Sequence, residues 1–257
     1  MYNTDFFSTI NELVDIFEQK TEKQMNKEEE QFLLKLVKKH IPKCEKHLEF
    51  LNDAIDIYDN AESLSNSLNA DLNIGDNISV LQFNFLLTNS ELELNLIFKN
   101  LVTSEYKWEK IYFIKLACLN IYETLNSYYK HKKTIKDISD TLPDLSTTFI
   151  NVNKDVGKFA NDFSVQTKIN KVRNKTIGHF ENDIKEYFKI VLDLDYDDSV
   201  KMIYAFMELL QSLHDFSLNC LISTGPQIPE EFDVEKNYEE MKNKLLQQKE
   251  ILKKNIH

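Results

Sequence analysis

Helix breakers are scarce in this chain, and their scarcity constrains the fold more than any other feature. Four glycines and four prolines are spread over 257 residues, far fewer than the tight turns of a sheet protein require. Between them, apolar residues return every three to four positions, which is the period of one face of an α-helix. Hydrophobic residues make up 42% of the chain, with seventeen Phe and eleven Tyr, ample for a packed core. The expected fold is all-α: an antiparallel helical bundle with an N-terminal helical extension and a peripheral C-terminal helix.

Taken in order, the pattern predicts a first helix over about 5–23, on the stripe Phe6, Ile10, Leu13, Val14 and Phe17. Asn26 and Glu29 form a capping-box pattern for a second helix, which Pro42 is expected to end. A long third helix follows from Cys44 to Leu68, and Gly75 marks a boundary. The strongly apolar run from Ile78 to Leu101 contains Ser90 as a possible internal cap. Ser104 precedes a helix whose stripe includes Trp108, Ile111, Tyr112, Cys118, Tyr122, Leu125 and Tyr129. Leu142-Pro143-Asp144 breaks the chain, and a helix over Ser146–Phe159 leads into the segment of most interest. The acidic stretch Asp193–Ser199 is expected to cap a long helix through Val200, Met207, Leu213 and Leu221, stopped by Gly225 and Pro226. This divides the chain into an extension at 1–75, a helical domain at 76–225 and a charged tail at 226–257.

A net charge of −11 argues against a broad nucleic-acid-binding face. It leaves room for a small basic site. The N-terminus lacks a basic n-region, so no signal peptide is expected. No run approaches the roughly 18 apolar residues of a membrane span. Cys44, Cys118 and Cys220 are odd in number and widely spaced, which reads as buried thiols in a reducing cytoplasm.

One arginine stands out. Of the thirty-one basic residues, thirty are lysines, and the exception is Arg173. Asn174 follows it, and His179 lies just after Gly178. Lys168, Lys171 and Lys175 surround the arginine with no acidic residue among them, a local positive spot suited to RNA. Arginine's planar fork grips phosphate oxygens bidentately, which an ammonium cannot do. Histidine titrates near neutral pH and suits proton transfer. Together they supply what metal-free RNA cleavage requires. On an uninterrupted helix, however, Arg173 and His179 would stand about 120° apart and about 9 Å along the axis. A turn at Gly178, or a second copy of the chain, is needed to bring such groups to one phosphate.

The pair Arg173-Asn174, the spacer and His179 resemble the R-polar-x-x-x-x-H signature of the HEPN superfamily, all-helical proteins that include many RNase toxins. The resemblance spans about Ile78 to Ser223 and does not reach the first seventy residues. It implies a metal-independent endoribonuclease acting as a toxin in bacterial phage defence or a toxin–antitoxin system. Arg173 would bind the scissile phosphate, His179 would act as general acid or base, and Asn174 would orient the phosphate or hold the arginine. It also implies RNA as substrate, a homodimer with a composite cleft, and an antitoxin or other protein partner. The rival is a non-catalytic helical module that binds a nucleotide or a partner protein with the same cleft.

Other constellations carry less. His40, Cys44 and His47 have the spacing of a zinc half-site, but Pro42 is expected to interrupt their helix and no fourth ligand is near in sequence. They read as surface histidines and a buried thiol, and neither metal nor cofactor is expected. Asp193, Asp195 and Asp197 alternate like the start of a calcium loop, yet Asp198 stands where the turn demands Gly. A helix cap is the better account. His214 reads as a core-edge histidine, and Glu123 as either a partner of the Arg173 motif or a solvent-facing residue.

Overall fold

In the computed structural model, which describes residues 27–67, 75–141, 143–178 and 184–224, every regular element is helical. Helix α1 runs over Lys27–Ser67, α2 over Gly75–Thr103, α3 over Lys107–Ser139 and α4 over Pro143–Asp162. A π-helical turn at Val165–Ile169, one α turn at Asn170–Val172 and a second π-helical stretch at Arg173–Gly178 follow. Helices α5 (Ile184–Leu192) and α6 (Tyr196–Thr224) complete the described part. None of the described helices is long and apolar enough to cross a membrane. The predicted helix over 5–23, the Asn26 cap, the stop at Gly225-Pro226 and the charged tail lie outside the described residues.

Helix α2 is the centre of the bundle and packs on α1, α3 and α6. That placement explains its apolar composition, because a helix covered on several sides has no polar face to spare. Phe83, Leu87, Leu94, Phe98 and Leu101 are fully buried along it. Only Ser104, Glu105 and Tyr106 separate α2 from α3, so the two pack as antiparallel neighbours. Aromatic contacts lock the layers together: Phe98 meets Tyr204 of α6 edge-on at 5.1 Å, and Phe159 of α4 meets Phe206 at 5.1 Å. Leu36 and Val37 of α1 join the same core as Phe83 and Leu210.

Three local expectations are overturned. Pro42 does not end a helix; it lies inside α1. Its ring removes one backbone hydrogen bond on the solvent side, where Pro42 is exposed, while Val37, His40, Cys44 and Leu51 stay buried on the other. Tertiary packing on both sides of the proline outweighs its local cost. Ser90 is no cap; it is buried within α2 and donates to Asn120 Oδ1 of α3 at 2.9 Å. Ser104 precedes α3 as expected, and Tyr106 holds the cap position without a side-chain cap bond. The predicted α3 stripe holds in part: Ile111, Cys118 and Leu125 are buried together with Ile114, Ala117, Ile121 and Tyr128, whereas Trp108, Tyr112 and Tyr129 are exposed.

Other signals are realised. Pro143 occupies the first turn of α4, where a missing N–H costs nothing. Asp195 caps α6, its Oδ1 accepting from the Asp198 N–H at 2.9 Å. All three cysteines are buried and none forms a disulfide.

Candidate functional site

The lone arginine lies in an irregular stretch of backbone. Ser164, with φ 51 and ψ 46, is the only non-glycine residue of positive φ among those described. This left-handed conformation costs a residue with a Cβ about 1 kcal/mol. It opens the first π turn, in which the Ser164 carbonyl accepts from Lys168 N–H at 2.8 Å and Ile169 N–H at 3.4 Å. The π turn recurs at Arg173–Gly178. Wide turns of this kind are rare and concentrate at functional sites. Val165, Ile169, Val172 and Thr176 are buried in the bundle, which leaves Arg173 and Asn174 half-exposed at the surface.

The guanidinium is held from three directions. Arg173 Nε donates to Glu123 Oε1 of α3 at 3.0 Å, and Nη2 lies 2.9 Å from the same oxygen. Nη1 donates to Asn174 Oδ1 at 2.7 Å, and Asn174 Nδ2 donates in turn to Asn170 Oδ1 at 2.7 Å. The Tyr122 ring centroid is 5.6 Å from the guanidinium carbon, within range of a cation–π contact. Arginine has five N–H donors. These bonds occupy one each on Nε, Nη2 and Nη1, so one donor remains on each Nη for a ligand. Two N–H groups on adjacent nitrogens form the fork that fits two phosphate oxygens.

The lysines are dispersed by comparison. Lys171 Nζ pairs with Glu186 Oε1 of α5 at 3.3 Å. Lys168 faces a cleft of about 310 Å³ shared with Ser164, Asp195 and Lys201, whose lining does not include Arg173. Lys175 is half-buried. The positive spot expected from this stretch is thus tempered by Glu123 and Glu186, carboxylates contributed by other helices. His179 lies outside the described residues. Glu123, left open by the sequence, is the clamp that positions the arginine. It stands fifty residues away, and no local spacing announces such a pairing.

A second polar cluster lies in the core. His40, read as a surface histidine, is 1% exposed, and His214, read as core-edge, is 2% exposed. Both meet Glu91 of α2, itself 4% exposed: His40 Nε2 is 2.9 Å from Oε1, and His214 Nε2 is 3.3 Å from Oε2. Burial opposes ionisation of Glu91, but hydrogen bonding to His214 and His40 outweighs it and holds the carboxyl well below the usual range. Cys44, one turn after His40, is fully buried, and burial followed by the Glu91 charge pushes its thiol far up. Burial and then the charge of His214 lower His47 to about 4. One ligand atom each from His40, Cys44 and Glu91 lie within 4.8 Å of one another, a set able to hold a metal ion. The available signal was Glu91 itself, a carboxylate inside the most apolar run of the chain.

Comparisons with family models, with curated proteins and with solved structures return no match for this chain.

Proposed function

We propose that the chain is a metal-independent endoribonuclease of the HEPN type, with Arg173 gripping the scissile phosphate and His179 moving the proton. The observation that carries this reading is the state of Arg173. The only arginine of the chain is clamped by Glu123, Asn174 and Tyr122 so that one N–H on each terminal nitrogen is left for a ligand. A guanidinium fixed before the substrate arrives costs no reorganisation as charge develops. In the reaction, the ribose 2′-oxygen bonds to phosphorus and the P–O5′ bond breaks. One proton leaves the 2′-hydroxyl and one reaches the departing 5′-oxygen, and His179 serves one or both transfers. Asn174 acts as the holder of the arginine, and Lys171 and Lys175 steer the flanking phosphates. Two copies of the motif in a homodimer would complete the cleft. In a bacterial cell such an enzyme acts as a toxin, in phage defence or paired with an antitoxin.

The rival reading, a module that binds a nucleotide or a partner protein without cleaving it, gains from the carboxylates Glu123 and Glu186 that offset the local positive charge. End-group analysis separates the two. Purified protein incubated with RNA should leave 2′,3′-cyclic phosphate and 5′-hydroxyl ends, and His179→Ala should abolish them. Intact RNA after incubation with a folded wild-type protein, together with no growth arrest on expression, would leave the binding module as the answer.

A further inference from the structure

We propose that His40, Cys44, Glu91 and His214 form a structural zinc site that ties α1, α2 and α6 together. Helix α1 supplies His40 and Cys44 at i and i+4, a spacing that puts both side chains on one face because α1 continues through Pro42. Helix α2 supplies Glu91 and α6 supplies His214, so the ligand set joins residues far apart in the chain. All four are buried, at 1% for His40, 0% for Cys44, 4% for Glu91 and 2% for His214. A tetrahedral zinc ion places its ligand atoms about 3.5 Å apart. The three atoms of His40, Cys44 and Glu91, all within 4.8 Å, reach that arrangement by closing up about 1 Å. His214 Nε2 lies 3.3 Å from Glu91 Oε2, the other carboxylate oxygen from the one His40 meets, and closes in on the other three to become the fourth ligand.

Three further observations favour an ion over a network of hydrogen bonds alone. The first is charge. Zinc with one thiolate, one carboxylate and two neutral imidazoles is electroneutral, which removes the cost of burying an isolated carboxylate. The second is support behind the ligands. His214 Nδ1 lies 3.4 Å from Asn84 Oδ1, and Asn84 Nδ2 donates to Ser217 Oγ at 2.6 Å. That arrangement holds the imidazole with Nε2 toward Glu91, the way metal-bound histidines are commonly held from behind. The third is ligand identity. A thiolate with imidazoles selects zinc over magnesium or calcium, and four protein ligands leave no open position for catalysis. Among the described residues no other His, Cys, Asp or Glu group has this geometry. The site shares no residue with the Arg173 cluster, so its fate is independent of the ribonuclease reading.

Cobalt substitution in the full-length, tag-free chain tests the proposal. Chelator-treated wild type titrated with Co²⁺ should develop a thiolate-to-cobalt charge-transfer band and the strong visible absorption of a four-coordinate ion, saturating near one equivalent. Zinc should displace it and raise the melting temperature. Cys44→Ser should lose the charge-transfer band, whereas Cys118→Ser, elsewhere in the core, should keep it. Asn84→Ala should weaken cobalt binding about ten- to a hundredfold while preserving the band, as expected for a residue that positions a ligand. A wild-type titration with neither band nor thermal shift would overturn the site. So would a charge-transfer band that survives Cys44→Ser.

Discussion

At the scale of single residues, the structure separates side chains that look alike in sequence. Lys171 and Arg173 are both cations that meet a carboxylate, but only the arginine has its remaining donors held in a planar fork. Its pair with Glu123 is half-exposed, so it contributes about 1 kcal/mol or less to stability. Its value lies in orientation. Glu123→Gln retains an acceptor but removes the charge that holds the Nε–Nη2 edge. That variant should lower kcat for RNA about tenfold, leave KM unchanged or lower, and shift Tm by less than about 4 °C. Kinetics on a fluorogenic RNA would decide it, and an unchanged kcat would remove Glu123 from the site. The Arg173–Glu123 pairing was only partly legible in sequence. Arg173 announces itself by being the only arginine, whereas Glu123 is one of many exposed glutamates until α3 is folded against the π-helical stretch.

At the scale of elements, helical character was legible because so few residues oppose it, and the breaks at Pro143 and before α6 fall where their chemistry places them. Where the structure departs from the local pattern, tertiary packing is the cause. Pro42 has the local signature of a helix end, yet burial of Val37, His40, Cys44 and Leu51 carries α1 past it. Ser90 has the local signature of a cap, yet it bonds Asn120 across to α3. The aromatic members of the α3 stripe lie outside the core, and Trp108 packs edge-on with Phe188 of α5 near the surface. Because Pro42 is an exposed interior proline, Pro42→Ala should stabilise the protein. The gain of about 3 kcal/mol in helix propensity is offset by about 1 kcal/mol of added unfolded-state freedom. The net of about 2 kcal/mol corresponds to a rise of about 4–8 °C in Tm. A fall in Tm on thermal unfolding would mean that the proline stabilises α1.

At the scale of the whole molecule there are two polar centres: a half-exposed arginine cluster, for which RNA chemistry is proposed, and a buried polar cluster where three helices meet. The second is hidden from sequence because its residues come from positions 40, 44, 91 and 214, and only the bundle brings them together. Assembly belongs to this scale too. Since Arg173 and His179 need help to reach one phosphate, a symmetric dimer should form. Light scattering at micromolar concentration should give about twice the chain mass of 30.3 kDa, and a monomer that still cleaves RNA would refute a composite cleft. The central claim is that Arg173 grips phosphate through its fork, and Arg173→Lys tests it most directly because the charge is kept and only the fork is lost. The measurement is single-turnover RNA cleavage by wild type and variant at matched Tm. The account predicts a loss of about thirty- to a thousandfold, the equivalent of about 2–4 kcal/mol in the transition state. Full activity in Arg173→Lys would contradict it.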